Sequence, residues 1–352
     1  MPAKGGESAT AARTHGTRVI MGDTMDPEAI IGRIMERHGG RGSVAEFHQA
    51  VNVTFHEFES EVYDREHADM WESLPSQFAL LVDDWMGSDP AVPGEIRLLD
   101  IGCGTGLATA SILRTRVGTR VKSVHLVDTS PSMLRRASQR ASQWNVAATY
   151  QEGLLDSVPG EGRFDMIVTC SVLHHIPHLP PFLNTVRKLQ ADGGVFLHLQ
   201  DPNGDFRNDP VLRERMSRHS RRLCPEWARR FTPQRVLARL SRELSGKQGQ
   251  DYVSKTNRTL VEKGFLETPL SVQELFEITD IHVQDGEGIS IEAMKSWLPD
   301  YHCLSQRSYA FMGELWSTLP RRSRKMEEDL IAAKARNGFH TGAIWKLGTA
   351  AK

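Results

Sequence analysis

The chain has 352 residues, 39% of them hydrophobic, and a formal net charge of −1, which is enough to bury one large core and an added subdomain. A near-neutral balance argues against a protein whose chief partner is a nucleic-acid backbone, and no apolar run approaches the roughly 20 residues of a membrane-spanning helix. The four cysteines, at 103, 170, 224 and 303, form neither a C-x-x-C pair nor a metal-ligand spacing, so a reducing, cytoplasmic setting without structural zinc is expected.

In chain order, the first 22 residues are rich in Ala, Gly, Thr and Arg and lack the apolar centre of a signal peptide. Residues 1–25 are expected to be a disordered tail, with Met21 or Met25 an alternative start. Asp26-Pro27 reads as a helix start, an acidic N-cap followed by proline at the first helical position. That helix is expected to end near Gly39-Gly40, with residues 39–43 a hinge. Helices from about 44 to 65 and from about 76 to 87 follow. On the first of them, ~100° per residue brings His56, Tyr63 and His67 into one stripe with Glu59 to one side, while Phe55, Phe58 and Val62 form a separate face that packs on the core. The stripe is either a chamber lining or a solvated polar face. Two histidines and a glutamate are also metal-ligand types, but no matched second set accompanies them and no metal is expected.

Ile96 to Ile101 is a short apolar run suited to a buried parallel strand, and Leu107 to Arg114 starts a helix. Between them Gly102, Gly104 and Gly106 let the backbone turn with positive φ and let a ligand approach where a Cβ would collide. A second strand, Val121 to Val127, ends in Asp128, 22 residues beyond Gly106. A carboxylate there can accept the hydrogens of two ribose hydroxyls. Nicotinamide folds share this layout but prefer G-x-G-x-x-G. Here the pattern is G-x-G-x-G, with Asp100 two residues ahead of the first glycine.

Phe164 to Cys170 reads as a fourth buried strand, followed directly by Ser171-Val172-Leu173-His174-His175-Ile176. Gly193 to Leu199 is a turn into a fifth strand. In this order, residues 95–203, with a last strand near Gly342 to Leu347, resemble the class I S-adenosylmethionine (SAM) dependent methyltransferases of small-molecule type.

The resemblance implies an α/β fold: a Rossmann-like seven-stranded sheet with an N-terminal helical extension and a large, mostly helical cap inserted after strand five. The implied division is 26–92 for helices closing over the cofactor, 93–204 for the SAM-binding core, 205–300 for the cap and 301–352 for the strands and helix that complete the core. It implies SAM as cofactor and S-adenosylhomocysteine as product. The cofactor-binding set is Asp100, Gly102, Cys103, Gly104, Gly106, Asp128, Thr129, Met133, Gly153, Leu154, Asp156 and Cys170, with the glycines at the methionine end and Asp128 on the ribose. At the end of strand three the family often carries Gly-Asp; here the segment is Glu152-Gly153-Leu154-Leu155-Asp156, which leaves the Leu154 backbone and Asp156 as alternative adenine contacts.

Transfer from a sulfonium needs in-line placement of the nucleophile and exclusion of water, and a base where the nucleophile arrives protonated. His174 and His175, at the mouth of the cofactor pocket in the family, are the first candidates for that base. Tyr63-Asp64 resembles the Tyr-Asp pair on a closing N-terminal helix, which puts Tyr63 near the sulfonium and makes His56 or His67 an alternative base. His198 reads as a core histidine, and Asp201, after strand five, as a site candidate.

Between Asp205 and Arg258 there are 14 Lys or Arg and 6 Asp or Glu, a local net of +8. Such a field attracts anions, so the alternatives are an anionic acceptor, a solvated helical surface or a nucleic acid. Against the last, strand four ends in Thr169-Cys170-Ser171-Val172 rather than Asn or Asp followed by Pro-Pro and an aromatic. Ile278 to Val283 reads as a strand or extended lid edge with Asp280 and His282 on one face, and Ser305 to Phe311 and Gly342 to Leu347 as an antiparallel pair. The expected activity is methyl transfer to a small or peptide-like acceptor, anionic ones included, with O-methylation ahead of N or C. The alternatives are an RNA or protein methyltransferase and a non-catalytic SAM-binding scaffold.

Overall fold

The structure, a computed structural model, describes residues 26–160, 162–223, 251–283 and 288–348. The tail through residue 25, Cys224 and the middle of the basic segment lie outside the described residues.

Five strands, β1 (Ile96–Ile101), β2 (Val121–Asp128), β3 (Ala147–Glu152), β4 (Phe164–Cys170) and β5 (Gln190–Pro202), run parallel. β7 (His340–Leu347) lies antiparallel between β5 and β6 (Tyr301–Tyr309), which gives the sheet order β3-β2-β1-β4-β5-β7-β6. This is the expected seven-stranded sheet, with the late antiparallel pair in place. The order reverses between β1 and β4, and ligands in open α/β sheets bind at the carboxyl ends flanking such a point.

Strand residues alternate between two cores. Leu98, Val124, Val168, Leu197 and Ile344 pack with Phe78, Leu81 and Trp85 of α4 (Ala68–Ser88) and with α5 (Leu107–Leu113). Leu99, Ile101, Ile167, Phe196 and Trp345 face α7 (Leu179–Leu189) and Ile291 and Met294 of α11 (Ile291–Trp297). α6 (Pro131–Ala141) lies beside β2 and β3 and α8 (Pro210–Leu223) follows β5, while α12 (Arg321–Ala332) sits against β6.

A third core has no strand in it. Ile31 and Ile34 of α1 (Pro27–Arg37) and Phe47, Val51 and Phe55 of α2 (Val44–Glu59) pack with Val253 and Leu260 of α9 (Asp251–Glu262) and Leu275 and Ile278 of α10 (Val272–Thr279). The N-terminal helices and the helices after β5 therefore make one helical layer. Among the described residues no helix is long and apolar enough to cross a membrane.

Three local expectations need correction. The helix of residues 44–65 breaks after Glu59 and resumes as α3 (Tyr63–Glu66). The next helix begins at Ala68 rather than near residue 76 and runs through Pro75. Ile278 to Val283 is not a strand. A capping box at Ser271, whose hydroxyl accepts from the Glu274 amide while Glu274 returns a bond to the Ser271 amide, starts α10, and the helix carries through to Thr279.

Candidate functional site

A cavity of about 680 Å³ opens at the carboxyl ends of β1, β2 and β4 and is roofed by α2, α3 and α10. Its floor is the turn after β1. Gly102 has φ +61°, and a Cβ there would come within 2.6 Å of Val172 Cγ2, so the turn seats against the segment after β4 only without a side chain. Gly104 has φ +52°, and a Cβ there would meet nothing within 4 Å because it would project into the cavity. The backbone geometry and the empty space together make a cradle that a side chain would fill.

Asp128 ends β2 beside this turn. Its carboxylate accepts the Gly104 amide at 2.8 Å and the Ser130 amide at 2.8 Å, which leaves lone pairs on both oxygens for further donors. Burial raises its pKa, and the Ser130 and Gly104 amides work against that rise. Asp100 sits behind the turn, fully buried, and accepts the Thr109 amide at 3.1 Å and hydroxyl at 2.6 Å, tying α5 to β1. Burial pushes its carboxyl up to about 7.

The roof is clamped to the floor by two carboxylates. Asp64 of α3 accepts the Thr105 hydroxyl at 2.6 Å, Arg140 at 2.8 Å and the Trp71 indole at 3.1 Å. Glu57 of α2 accepts the Ser130 hydroxyl at 2.7 Å and the Ser132 amide at 2.9 Å, capping α6 from outside the helix.

The part of the wall formed after β4, with α2 and the end of α10, is built of imidazoles and acids. His174 Nδ1 lies 2.9 Å from Asp201 Oδ1, and the His174 amide also donates to that oxygen at 3.3 Å. Burial opposes the Asp201 charge, but the His174 hydrogen bond and the nearby His174 and His198 rings outweigh it and hold the carboxyl below its ordinary range. His175 Nδ1 donates to the Thr279 carbonyl at 2.6 Å, and burial, with His174 and His56 adding, pushes its pKa well below the ordinary histidine value. His56 Nδ1 is 2.9 Å from Glu59 Oε2, with Glu59 Oε1 3.5 Å from His67 Nε2. Burial opposes the Glu59 charge, yet the two histidines bring its pKa down to about 2.

With this geometry in place, residues 99–196 match a family model described as a methyltransferase domain. Residues 99–196 thus carry a methyltransferase domain. The ubiquinone biosynthesis O-methyltransferase of Methylobacterium sp. (strain 4-46) is 32% identical over 114 residues, 31% of this chain and 44% of that enzyme. A highly reducing polyketide synthase of Calcarisporium arbuscula is 29% identical over 122 residues, 33% of this chain and 5% of the synthase. The matched stretch thus spans less than half the length of either relative. An S-adenosylmethionine dependent methyltransferase structure from Mesorhizobium loti aligns with a TM-score of 0.38 and 13% identity, over 75% of this chain and 96% of that one.

Within the methyltransferase domain, Gly102, Gly104, Asp128, Thr129, Met133, Gly153, Leu154, Asp156 and Cys170 all line the cavity. Asp100, Cys103 and Gly106 do not. Cys103 packs with Leu126, Leu134 and Ala137, and Gly106 begins α5. Asp156 Oδ1 accepts the Thr185 hydroxyl at 2.8 Å. Of the catalytic candidates, His174, His175, Tyr63 and His56 line the cavity, and His67 does too. His198 is fully buried with Nδ1 3.5 Å from Asp201 Oδ2, and Asp201 is also fully buried, behind His174 rather than in the cavity. His56, Glu59 and His67 meet although His67 lies outside α2, in the link between α3 and α4.

Asp280 lines the same wall, and sequence reasoning placed it on a strand edge. Glu57 was not singled out at all. The signal for Asp280 was the Ser271/Glu274 capping pair, which fixes α10 and so the position of the acid at its end.

No Lys or Arg is among the described residues lining the cavity, whereas Glu28, Glu59, Asp128, Asp156 and Asp280 are. Several described arginines of the basic segment are engaged with the chain itself. Arg215 donates to the Asn337 carbonyl at 2.6 Å, Arg218 pairs with Glu214 at 2.6 Å, and Arg207 lies 5.3 Å over the Phe339 ring.

Proposed function

We propose that this chain transfers a methyl group from SAM to a hydroxyl of a small molecule that carries no fixed negative charge. The observation that carries the reading is the shared cavity. The glycine turn and Asp128 open onto the same space as the His174 wall, so a cofactor and an acceptor seated there would meet end to end.

The residues fit SAM. Gly102 and Gly104 leave the cradle open for the methionine end, Asp128 offers lone pairs to the ribose, and Gly153, Leu154 and Asp156 flank the remaining edge. When bound, SAM supplies an electrophilic methyl group on its sulfonium. The chain's contribution is placement and dryness. The Asp64 and Glu57 clamps hold the roof over the cavity, and Phe55, Phe276 and Met70 line it with apolar surface. The Asp201 bond orients His174, and the Thr279 bond orients His175, at the place where an acceptor's proton is lost.

An anionic acceptor, the other reading of the basic segment, has no described cation in the cavity to meet it. The described cysteines, Cys103, Cys170 and Cys303, are free thiols, in keeping with a reducing, cytoplasmic setting. Calorimetric titration of the purified chain with SAM and with S-adenosylhomocysteine tests the cofactor assignment. One site per chain for each is the expected result, and no heat with either removes the reading.

A further inference from the structure

Asp280 directly follows α10, and its Oδ1 stands 3.8 Å from His174 Nε2 and 3.4 Å from His175 Nδ1. One ligand atom from each of the three residues lies within 4.8 Å of the other two. Imidazole and carboxylate ligands hold one ion at bond lengths of about 2.0–2.2 Å.

The outer contacts are those that ligating histidines use. His174 gives its Nδ1 to a fully buried carboxylate, Asp201, at 2.9 Å, and His175 gives its Nδ1 to the Thr279 carbonyl at 2.6 Å. A carboxylate and a backbone carbonyl are the partners that fix the tautomer of metal-bound imidazoles. With both Nδ1 atoms donating, the lone pair of each ring is on Nε2, so His175 would ligate through Nε2 while its Nδ1, 3.4 Å from Asp280 Oδ1, stays on the Thr279 carbonyl. Thr279 and Asp280 are adjacent in sequence, so the end of α10 supplies both an outer contact and a ligand. His56 stands across the wall, its ring 5.2 Å from that of His175 and its own Nδ1 held by Glu59. No Lys or Arg is among the described lining residues to take the place of a cation.

We propose that His174, His175 and Asp280 form a binding site for a divalent first-row transition-metal ion, which holds the acceptor's hydroxyl oxygen beside the cofactor pocket. Two imidazoles and one carboxylate with open positions suit zinc, manganese, iron or cobalt better than magnesium. The open positions take oxygen donors, and a pair of neighbouring hydroxyls, as in a catechol, fills two of them. A hydroxyl bound to such an ion loses its proton to water near neutral pH, so His174 and His175 act as ligands and not as bases. The identity of the bound acceptor rests on the methyl-transfer reading; the cation site does not.

The test is a titration of the chelator-treated, untagged full chain with Co²⁺, read by the visible d–d bands that cobalt shows in nitrogen and carboxylate coordination. SAM is titrated into the same samples by calorimetry. The expected result is one Co²⁺ per chain, with affinity at least tenfold weaker in Asp280→Asn and in His175→Ala. His125→Ala, on β2 and bonded to Thr149 and Gln151, binds cobalt as the wild type does. SAM affinity stays unchanged in Asp280→Asn, which shows that the variant is folded. Cobalt bound through these residues without SAM binding keeps the cation site and removes the methyl-transfer reading. SAM bound with no cobalt, or cobalt bound equally well by both ligand variants, overturns the site and returns His174 to the role of base.

Discussion

The Thr105 hydroxyl donates to Asp64 Oδ1 at 2.6 Å, so a residue of the glycine turn is held by a helix 41 positions earlier. The same carboxylate takes Arg140, which lies 4.0 Å over the Trp71 ring. One of the two acids that clamp the roof thus touches the glycine turn without lining the cavity.

Asp64→Asn keeps the shape and removes the charge. Hydrogen bonds to a charged group contribute about 1.5–3 kcal/mol, and Asp64 is partly exposed, so the expected loss of SAM affinity is about tenfold. The thermal midpoint should fall only slightly. Calorimetry beside a melting curve checks this; equal SAM affinity would mean that the clamp does not govern the pocket.

Gly104→Val is expected to abolish SAM binding while the chain stays folded. Its positive φ costs a β-branched residue about 1–2 kcal/mol, less than a domain's usual stability of about 5–15 kcal/mol, and the added side chain enters the cavity without meeting protein atoms. Circular dichroism with a SAM titration separates the two effects. A folded variant with wild-type affinity would place the cofactor elsewhere.

Asp128→Ala is expected to weaken SAM binding by about 1–3 kcal/mol, the cost of losing hydrogen bonds to a carboxylate. Asp128→Asn should lose less, because it retains one oxygen acceptor for the Gly104 amide. If both variants bind SAM as the wild type does, the ribose contact belongs to another group.

Asp100 gives a pH prediction with a definite sign. In the unfolded chain its carboxyl titrates near 3.8, and in the folded chain burial moves it to about 7. Folding therefore takes up a proton between those values. The stability contributed by the protonated form is full below about pH 4 and is lost as the pH rises to about 7. Asp100→Asn removes this titration, so urea unfolding from pH 4 to 8 should show a smaller decline than in the wild type. Parallel curves for the two chains would contradict the raised value.

The strands that hold the site could be read from sequence because their signals are local. β1 and β4 are apolar runs that end directly in Gly102 and in Ser171, and β2 ends in its acid. The imidazole wall was read only in part. His174 and His175 are adjacent, but Asp201 lies 27 residues away, and only the parallel pairing of β4 with β5 brings them together. Asp280 was misplaced because Ile278 to Val283 mixes apolar and polar residues as a strand edge does. Residues 44–65 contain no glycine or proline to mark a break. The break comes instead from Ser60, whose hydroxyl donates to the Glu57 carbonyl at 2.7 Å as the chain leaves α2. That turn sets Tyr63 and His67 against Glu59, a meeting that a continuous helix had suggested for a different reason.

The most decisive measurement is incubation of the purified chain with methyl-labelled SAM and an extract of its source cells, followed by separation of small molecules from protein and nucleic acid. Label in a small-molecule product, lost in Gly104→Val, is the predicted result, and the product identifies the acceptor. Label confined to RNA or protein, or SAM binding with no transfer to any fraction, would contradict small-molecule methylation and point to a macromolecular substrate or to a SAM-binding scaffold.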